Sequence, residues 1–405
     1  NLEYNDGSID VFMVNNNIYQ QEKFNKIFVG SQKQYRTDFS VLYYRKDLCK
    51  KYDLPCPPKT YNELEDFAYI IQEGERVENR VFTGWSWQGD SYSGLADNFV
   101  EWYESHGGES IINDGGNFKV DSDILQSVLS MAKRWVGNIS SSSVLYSREH
   151  QSANTFKKGN SAFMRNWMYH IHDFNNDIST RGKFDVSPLP GKLPGMSTGT
   201  KKTLSFAILN STKSVEHSQL FMEKVLSLEG QKQLLLEAGL IPIESNLSLN
   251  NEQLCDSYVE KIRNDSKVCD LKSVNTSDIL CPLSLKTKFN VSKYLTRRPN
   301  TSSVETSLSA SKIIYESVSS VLRGKQTIVD GITTIKAKKS RNHTELLCKH
   351  LKLPISIKNN KNFDEIKIKK IKKINTLNYD IPSDISSSAF FIVLTALSKN
   401  SELTI

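Results

Sequence analysis

Apolar residues in this chain fall into short runs separated by longer amphipathic stretches. Ala162-Phe163-Met164 is a run of strand length that ends abruptly in Arg165, Asn166, Trp167 and Tyr169. Upstream, Asn154–Lys158 reads as a helix end closed by Gly159, because glycine reaches the left-handed conformation that stops a helix. Downstream, Phe184–Pro188 reads as a second short strand running into a Pro/Gly loop. The same reasoning predicts helices near 61–73, 92–106, 122–136, 149–158, 215–227, 229–237 and 304–322. Strands are predicted near 9–14, 82–87, 161–166, 184–188 and 205–209. Thr60 followed by Glu63 forms a capping box for the first long helix. Short strands alternating with helices make this an α/β chain. Residues 251–300 are rich in Ser and Asn and carry few periodic signals.

The segment 160–170 also suggests chemistry. A buried strand that ends in polar and aromatic residues delivers them to a cleft at its carboxyl end. Trp and Tyr offer flat apolar faces, while Arg and Asn offer hydrogen-bond donors. A sugar needs both, having an apolar C–H face and a rim of hydroxyls.

Ordered motifs extend this reading. Phe156-Lys157-Lys158-Gly159-Asn160-Ser161-Ala162-Phe163-Met164 precedes the polar-aromatic segment, and Gly182-Lys183-Phe184-Asp185-Val186-Ser187-Pro188-Leu189-Pro190 follows it. Earlier come Tyr43-Tyr44-Arg45-Lys46-Asp47-Leu48 and Pro57-Pro58-Lys59-Thr60-Tyr61-Asn62-Glu63-Leu64, then Gly84-Trp85-Ser86-Trp87 and Asn98–Trp102. Later come Ser227–Gln233, Gly239-Leu240-Ile241-Pro242 and Arg298-Pro299. Over about residues 8–328 this series resembles the extracellular solute-binding proteins of the maltose/trehalose type that serve bacterial ABC importers. The resemblance implies a two-lobed periplasmic-binding-protein type II fold that closes by a hinge on a small-molecule sugar, with no catalysis and no cofactor. It also implies an extracellular or periplasmic location and an ABC permease or receptor membrane subunit as partner. Matched residue by residue, the ligand-binding positions are Asp38, Trp87, Tyr92, Arg165, Trp167 and Tyr169, with Tyr169 and Trp87 stacking on the sugar and Asp38 and Arg165 binding hydroxyls. Trp87 can alternatively be core, and Arg165 can instead pair with an acidic neighbour to fix the lobe geometry. Two departures stand out: the stretch from Ile9 to Tyr43 is short for this family, and Met196–Leu204 lacks an aromatic where a Gly-Gly-Trp-like turn is usual.

The tail carries a second resemblance. Ser340-Arg341-Asn342-His343-Thr344-Glu345 and Ile381-Pro382-Ser383-Asp384-Ile385-Ser386-Ser387-Ser388-Ala389 are similar to segments of 5-enolpyruvylshikimate-3-phosphate synthase. Hydroxyls and N–H groups at a helix start suit a phosphate, so Ser386, Ser387 and Ser388 are the positions carried over. The enzyme's other catalytic regions have no counterpart, and the tail reads as an inactive α/β fragment of enolpyruvyl transferase type.

Composition narrows the remaining classes. At 405 residues the chain can hold two or three domains. No apolar run approaches the ~18 residues of a membrane span. The chain opens on Asn1 without a basic-plus-apolar leader, which reads as a processed, truncated or excerpted sequence. The net charge of +7 is concentrated in lysines of residues 336–373. These alternate with isoleucine as on a strand with one solvated face, without the aromatic interleaving of a nucleic-acid binder. Six cysteines include no Cys-x-x-Cys pair and no zinc spacing. In a secreted chain Cys49–Cys56 and two of Cys255, Cys269 and Cys281 are able to pair. Eight Asn-x-Ser/Thr sequons, Asn138 and Asn210 among them, permit glycosylation without arguing for it. His170 and His172, two apart, suit metal ligands on a strand, but no third ligand accompanies them.

The resulting organisation has residues 1–40 and 205–250 forming a truncated first lobe, 41–204 and 251–328 a second lobe, and 331–405 the enzyme-like fragment. Three classes of function follow: a carbohydrate solute-binding or sensing module, an enolpyruvyl transferase fragment acting on shikimate 3-phosphate, and a non-functional chimeric join.

Overall fold

The computed structural model describes residues 11–15, 28–109, 111, 120–242, 251–265, 276–285, 304–329, 332–338, 355–359 and 363–369. The chain divides into two compact units, Asn1–Gln326 and Thr327–Ile405.

In the first unit, β1 (Val11–Asn15) and the long β2 (Phe28–Arg45) are followed by α1 (Lys46–Lys51), α2 (Tyr61–Glu75), β3 (Thr83–Ser86), α3 (Ser93–Ser105) and α4 (Ser122–Trp135). Next come α5 (Glu149–Lys157), β4 (Ser161–Trp167), α6 (His170–Asn175), β5 (Phe184–Ser187) and β6 (Lys201–Leu209). Helices α7 (Val215–Leu226), α8 (Leu228–Ala238), α9 (Asn251–Asp265) and α10 (Val304–Leu322) complete it. The six strands form one sheet in the order β1-β6-β2-β4-β3, with β5 also paired to β2.

Strand β2 organises the unit. Its first two-thirds pair antiparallel with β6, ending at Asp38↔Lys202 and Phe39↔Lys201. Its last third changes partners, with Ser40↔Trp167 through Tyr44↔Phe163 on β4 and Leu42↔Ser187 through Arg45↔Phe184 on β5. The change falls at residues 39–40, where Ser40 N–H still donates to the Thr200 carbonyl at 3.1 Å. A strand shared in this way links two parts of a sheet through a short backbone segment, and such segments absorb hinge rotation.

Local chemistry explains the helix ends. Thr60 Oγ1 accepts from Glu63 N–H at 3.1 Å, and the Glu63 carboxylate accepts from Thr60 N–H at 3.3 Å, so the capping box forms as expected. Thr60→Ala should therefore cost about 1 kcal/mol, read as a lower urea midpoint with unchanged slope. Gly159 ends α5 with φ +73°, the left-handed stop anticipated from the sequence. Helix α9 was not foreseen in its Ser/Asn-rich segment. Its Leu254, Tyr258 and Ile262 are buried at spacings of four that the surrounding polar residues obscure. The same helix carries the Cys255–Cys281 disulfide, while Cys49–Cys56 closes a short loop after α1. Cys269 lies outside the described residues.

In the second unit, β7 (Gln326–Val329), which begins at the boundary, joins β8 (Ile332–Lys338), β9 (Ile355–Asn359) and β10 (Phe363–Lys369) in a sheet ordered β7-β8-β10-β9, with β10 antiparallel to both β8 and β9. Ile366 of β10 is opposite Ile335 on one side and Ile357 on the other, so the Lys/Ile alternation does place isoleucines together across the strands. Ser386, Ser387 and Ser388 lie outside the described residues.

Candidate functional site

The end of β4 and the partner change of β2 meet the start of β6, and most of the expected residues are found there. Asp38 lies on β2 two residues before its first pair with β4 at Ser40 and is 4% exposed. Its Oδ1 accepts the backbone N–H groups of Phe39 and Met168, each at 3.0 Å, fixing the β4 end to the crossover. Burial pushes its carboxyl up to about 6, against the opposing influence of Arg36 and the two backbone donors. Arg36 stands 3.9 Å from Asp38 Oδ2, beyond hydrogen-bonding reach.

Arg165 lies fully inside. Its Nε and Nη2 donate to the two Glu101 oxygens at 2.9 and 2.5 Å, and Nη1 donates to Gln88 Oε1 at 3.1 Å. Glu101, 0% exposed, also accepts from the Thr200 hydroxyl and from Thr200 N–H at 3.3 Å. Thr200 N–H in turn donates to Ser40 Oγ at 2.9 Å. Burial opposes the Arg165 charge, and the Glu101 carboxylate overcomes it, so the guanidinium is held more firmly protonated than usual. The chain of contacts α3–β4–Thr200–Ser40 thus clamps the crossover. Arg165 spends its donors on that clamp and is not free to bind hydroxyls in this conformation; the acidic-neighbour alternative is the one the geometry favours.

Trp87 is likewise core. It is 0% exposed, its indole N–H donates to Ser140 Oγ at 3.0 Å, and it packs edge-to-face on Trp102 with ring centroids 5.2 Å apart. Trp102 continues to Trp135 at 5.7 Å, and Trp135 to Trp85 at 6.2 Å. Four indoles packed in this way fill the space between β3, α3 and α4 and leave Trp87 no face for a solute.

Trp167, at the end of β4, is 2% exposed. Arg165 stacks on its ring at 4.5 Å and the Lys202 ammonium stands 5.3 Å from the ring centre, while its indole N–H donates to Glu149 Oε1 at 3.3 Å. The other Glu149 oxygen accepts the Tyr92 hydroxyl at 2.6 Å, and Arg148 lies 4.8 Å from the Tyr92 ring centre. Burial pushes the Glu149 carboxyl up, but the Tyr92 hydrogen bond and the Arg165 charge reverse this, leaving it below the usual range. Tyr169 is the most open of the aromatics at the crossover itself. It is half-buried, with Arg36 5.4 Å from its ring centre and the His170 ring at 4.2 Å. Burial, then Glu149 and Asp38, push its hydroxyl up, so it stays neutral at physiological pH.

The structure therefore brings Asp38, Arg165, Trp167 and Tyr169 together around residues 38–40, with Tyr92 joined to them through Glu149, and sets Trp87 apart. Sequence reading missed Arg36, Glu149, Lys202 and Glu101. Arg36 precedes Asp38 by two residues on the same strand, and Lys202 is opposite Asp38 across the β2–β6 register. His170 and His172 stand on α6 rather than on a strand, because the backbone turns into a helix directly after Tyr169. There His170 Nδ1 pairs with Asp173 at 3.1 Å and His172 Nδ1 contacts the Tyr258 hydroxyl at 3.2 Å. Among the described residues no cluster of metal-ligating side chains occurs, and no helix is long and apolar enough to cross a membrane.

Comparison with known proteins adds what geometry cannot. A probable ABC transporter-binding protein of Deinococcus radiodurans is 33% identical over 219 residues, covering 54% of this chain and 52% of that protein; the chain spans about half the length of this relative. The maltose-bound structure of MalE3 from T. maritima aligns over 78% of this chain and 84% of its own with a TM-score of 0.57 at 22% identity, which places the fold among type II periplasmic binding proteins. A 3-phosphoshikimate 1-carboxyvinyltransferase of Staphylococcus epidermidis is 44% identical over 66 residues, which is 16% of this chain and 15% of the enzyme. The model of the bacterial extracellular solute-binding protein family matches residues 7–232, more than half of the 405, and the chain belongs to that family.

Proposed function

We propose that the first unit is a carbohydrate-binding module of ABC-importer type, taking a small neutral sugar at the crossover where Tyr169 and Asp38 stand side by side. The observation that carries this reading is a half-open tyrosine ring next to a carboxylate with one committed and one uncommitted oxygen, on the strand that changes partners. An aromatic face suits the C–H side of a sugar ring, and the uncommitted oxygen suits a hydroxyl. Trp167 supports Tyr169 from the β4 end and Glu149 ties Tyr92 to it. Rotation about residues 38–40 and 200–201 closes the site. The maltose in the MalE3 structure is consistent with such a ligand.

The partner of such a module is an ABC permease or a membrane receptor subunit, and its place is outside the cytoplasm. Two disulfides fit that compartment, since they persist where the surroundings are oxidising. Cys255→Ser together with Cys281→Ser should cost about 3.5 kcal/mol, the loop-closure value for a cross-link of this span, seen as a lower urea midpoint under non-reducing conditions only.

The tail is proposed to be an enolpyruvyl-transferase-like fragment that catalyses nothing. A chain that converted shikimate 3-phosphate and phosphoenolpyruvate to product would contradict this.

Calorimetric titration of the full chain with maltose, trehalose and small oligosaccharides tests the leading reading. Binding by the wild type that falls at least tenfold in a Trp167→Ala/Tyr169→Ala variant of unchanged far-UV spectrum supports it, the loss expected for removing the Tyr169 face and its buried support, ~0.5–1.5 kcal/mol each. Binding that persists in the variant places the ligand elsewhere.

A further inference from the structure

We infer that Arg36 and His170 are two further ligand-contacting residues, which together with Asp38 read a pair of neighbouring hydroxyls on a sugar ring lying against Tyr169; the inference rests on the sugar-binding reading above. Three polar atoms around this one aromatic ring lack a hydrogen bond within the protein. Arg36 Nε and His170 Nε2 are buried without a partner. Asp38 Oδ2 has Arg36 Nη2 only at 3.9 Å. The His170 side chain is 8% exposed, and a buried unpaired nitrogen is costly enough that most folds avoid it.

The three atoms complement one another. Arg36 is a donor at every pH. His170 Nδ1 faces the Asp173 carboxylate at 3.1 Å; in the tautomer that donates from Nδ1 to that carboxylate, Nε2 is an acceptor. The uncommitted Asp38 oxygen is a second acceptor. One donor flanked by two acceptors matches two adjacent hydroxyls, because each hydroxyl both donates and accepts. A lone hydroxyl would leave an acceptor unpaired, and an ether or deoxy position would leave more.

The placement agrees. Arg36 and His170 both lie against Tyr169, at 5.4 and 4.2 Å from the ring centre, and Asp38 accepts the N–H of Met168 one residue before it. Tyr169 is the one half-exposed member of the group. His170 is kept in place from behind by Phe174, stacked at 5.8 Å.

The test uses the full chain and calorimetric titration with maltose, trehalose, D-tagatose and ribitol. The variants are His170→Phe, which keeps the stack on Phe174 and removes Nε2, Arg36→Met, which keeps the stem and removes the donors, and Tyr169→Ala. Urea midpoints within a small margin of wild type establish that each is folded. The expected result is at least a tenfold loss of affinity in both His170→Phe and Arg36→Met, with little discrimination left between the best sugar and its mono-deoxy analogue. If Tyr169→Ala abolishes binding while His170→Phe and Arg36→Met stay within twofold of wild type, the inference is overturned and the sugar-binding reading stands. If the folded wild type binds nothing in the panel, the reading itself fails and the inference falls with it.

Discussion

Arg165→Ala should lower the stability of this protein by about 3–5 kcal/mol, the range for removing one partner of a buried ion pair. The reason lies in what remains. Glu101 is 0% exposed, and without Arg165 its carboxylate keeps only the hydroxyl and N–H of Thr200. A buried carboxylate with so little compensation is held at a large cost in desolvation. Urea denaturation checks the magnitude. The loss should be nearly the same at low and high salt, because a pair this deep is barely screened. Arg165→Met combined with Glu101→Gln should recover most of the loss, since neither replacement leaves a charge inside. A single variant close to wild type would mean that the pair does not hold the crossover together. Exposed pairs such as Arg134–Glu65, where the arginine side chain is 53% exposed, should by contrast change stability by less than about 1 kcal/mol when broken.

Asp38→Asn should stabilise the chain above neutral pH by up to about 3 kcal/mol and remove part of its pH dependence. The Asp38 carboxyl ionises near 6 in the folded protein against 3.8 as its ordinary value, chiefly because it is buried. Between those values the folded chain holds more protons than the unfolded one, so stability falls as pH rises from about 4 to about 6 and then levels off. Each pH unit of displacement corresponds to about 1.4 kcal/mol, which sets the size. Asparagine still accepts the N–H groups of Phe39 and Met168 through its carbonyl and never ionises. The difference in unfolding free energy between variant and wild type should therefore be small at pH 4 and grow up to pH 7. A difference independent of pH would show that Asp38 does not carry this proton. The same substitution should weaken sugar binding if Asp38 receives a hydroxyl, and stability gained at the expense of affinity is what a site residue is expected to show.

Much of the secondary structure was legible in the residues themselves. The capping box at Thr60 and Glu63, the glycine stop at Gly159 and the apolar runs at Ala162–Met164 and Phe184–Val186 are local signals, decided within one helical turn or one strand. The helices over 61–75, 122–135, 149–157 and 304–322 follow from periodicity alone. The ordered motifs carried the family as well, because their residues serve local turns and strand ends. What escaped were elements whose reasons are distant in sequence. Strand β2 runs for 18 residues although its opening stretch, Phe28–Gln34, is mostly polar, since its stability comes from pairing with β6 some 170 residues on. Helix α9 has a buried stripe that only its packing reveals.

The candidate site divides along the same line. Sequence by itself determined that Arg165, Trp167 and Tyr169 emerge together from the end of one strand, and that aromatic and charged groups would meet near Asp38. Whether a given aromatic faces solute or core is a matter of what lies opposite, and no local pattern encodes it. Trp87 alternates correctly for a site residue yet meets Trp102 and Ser140. Arg165 points inward because Glu101, 64 residues away, supplies the main charge that makes its burial tolerable, with Asp97 and Glu149 adding to it. Lys202 reaches the site through the β2–β6 register, in which a shift of one residue would turn it to the opposite face. Local chemistry thus fixed the elements and the family, while the tertiary structure alone decided which side chains are committed to holding the crossover and which remain open to a ligand.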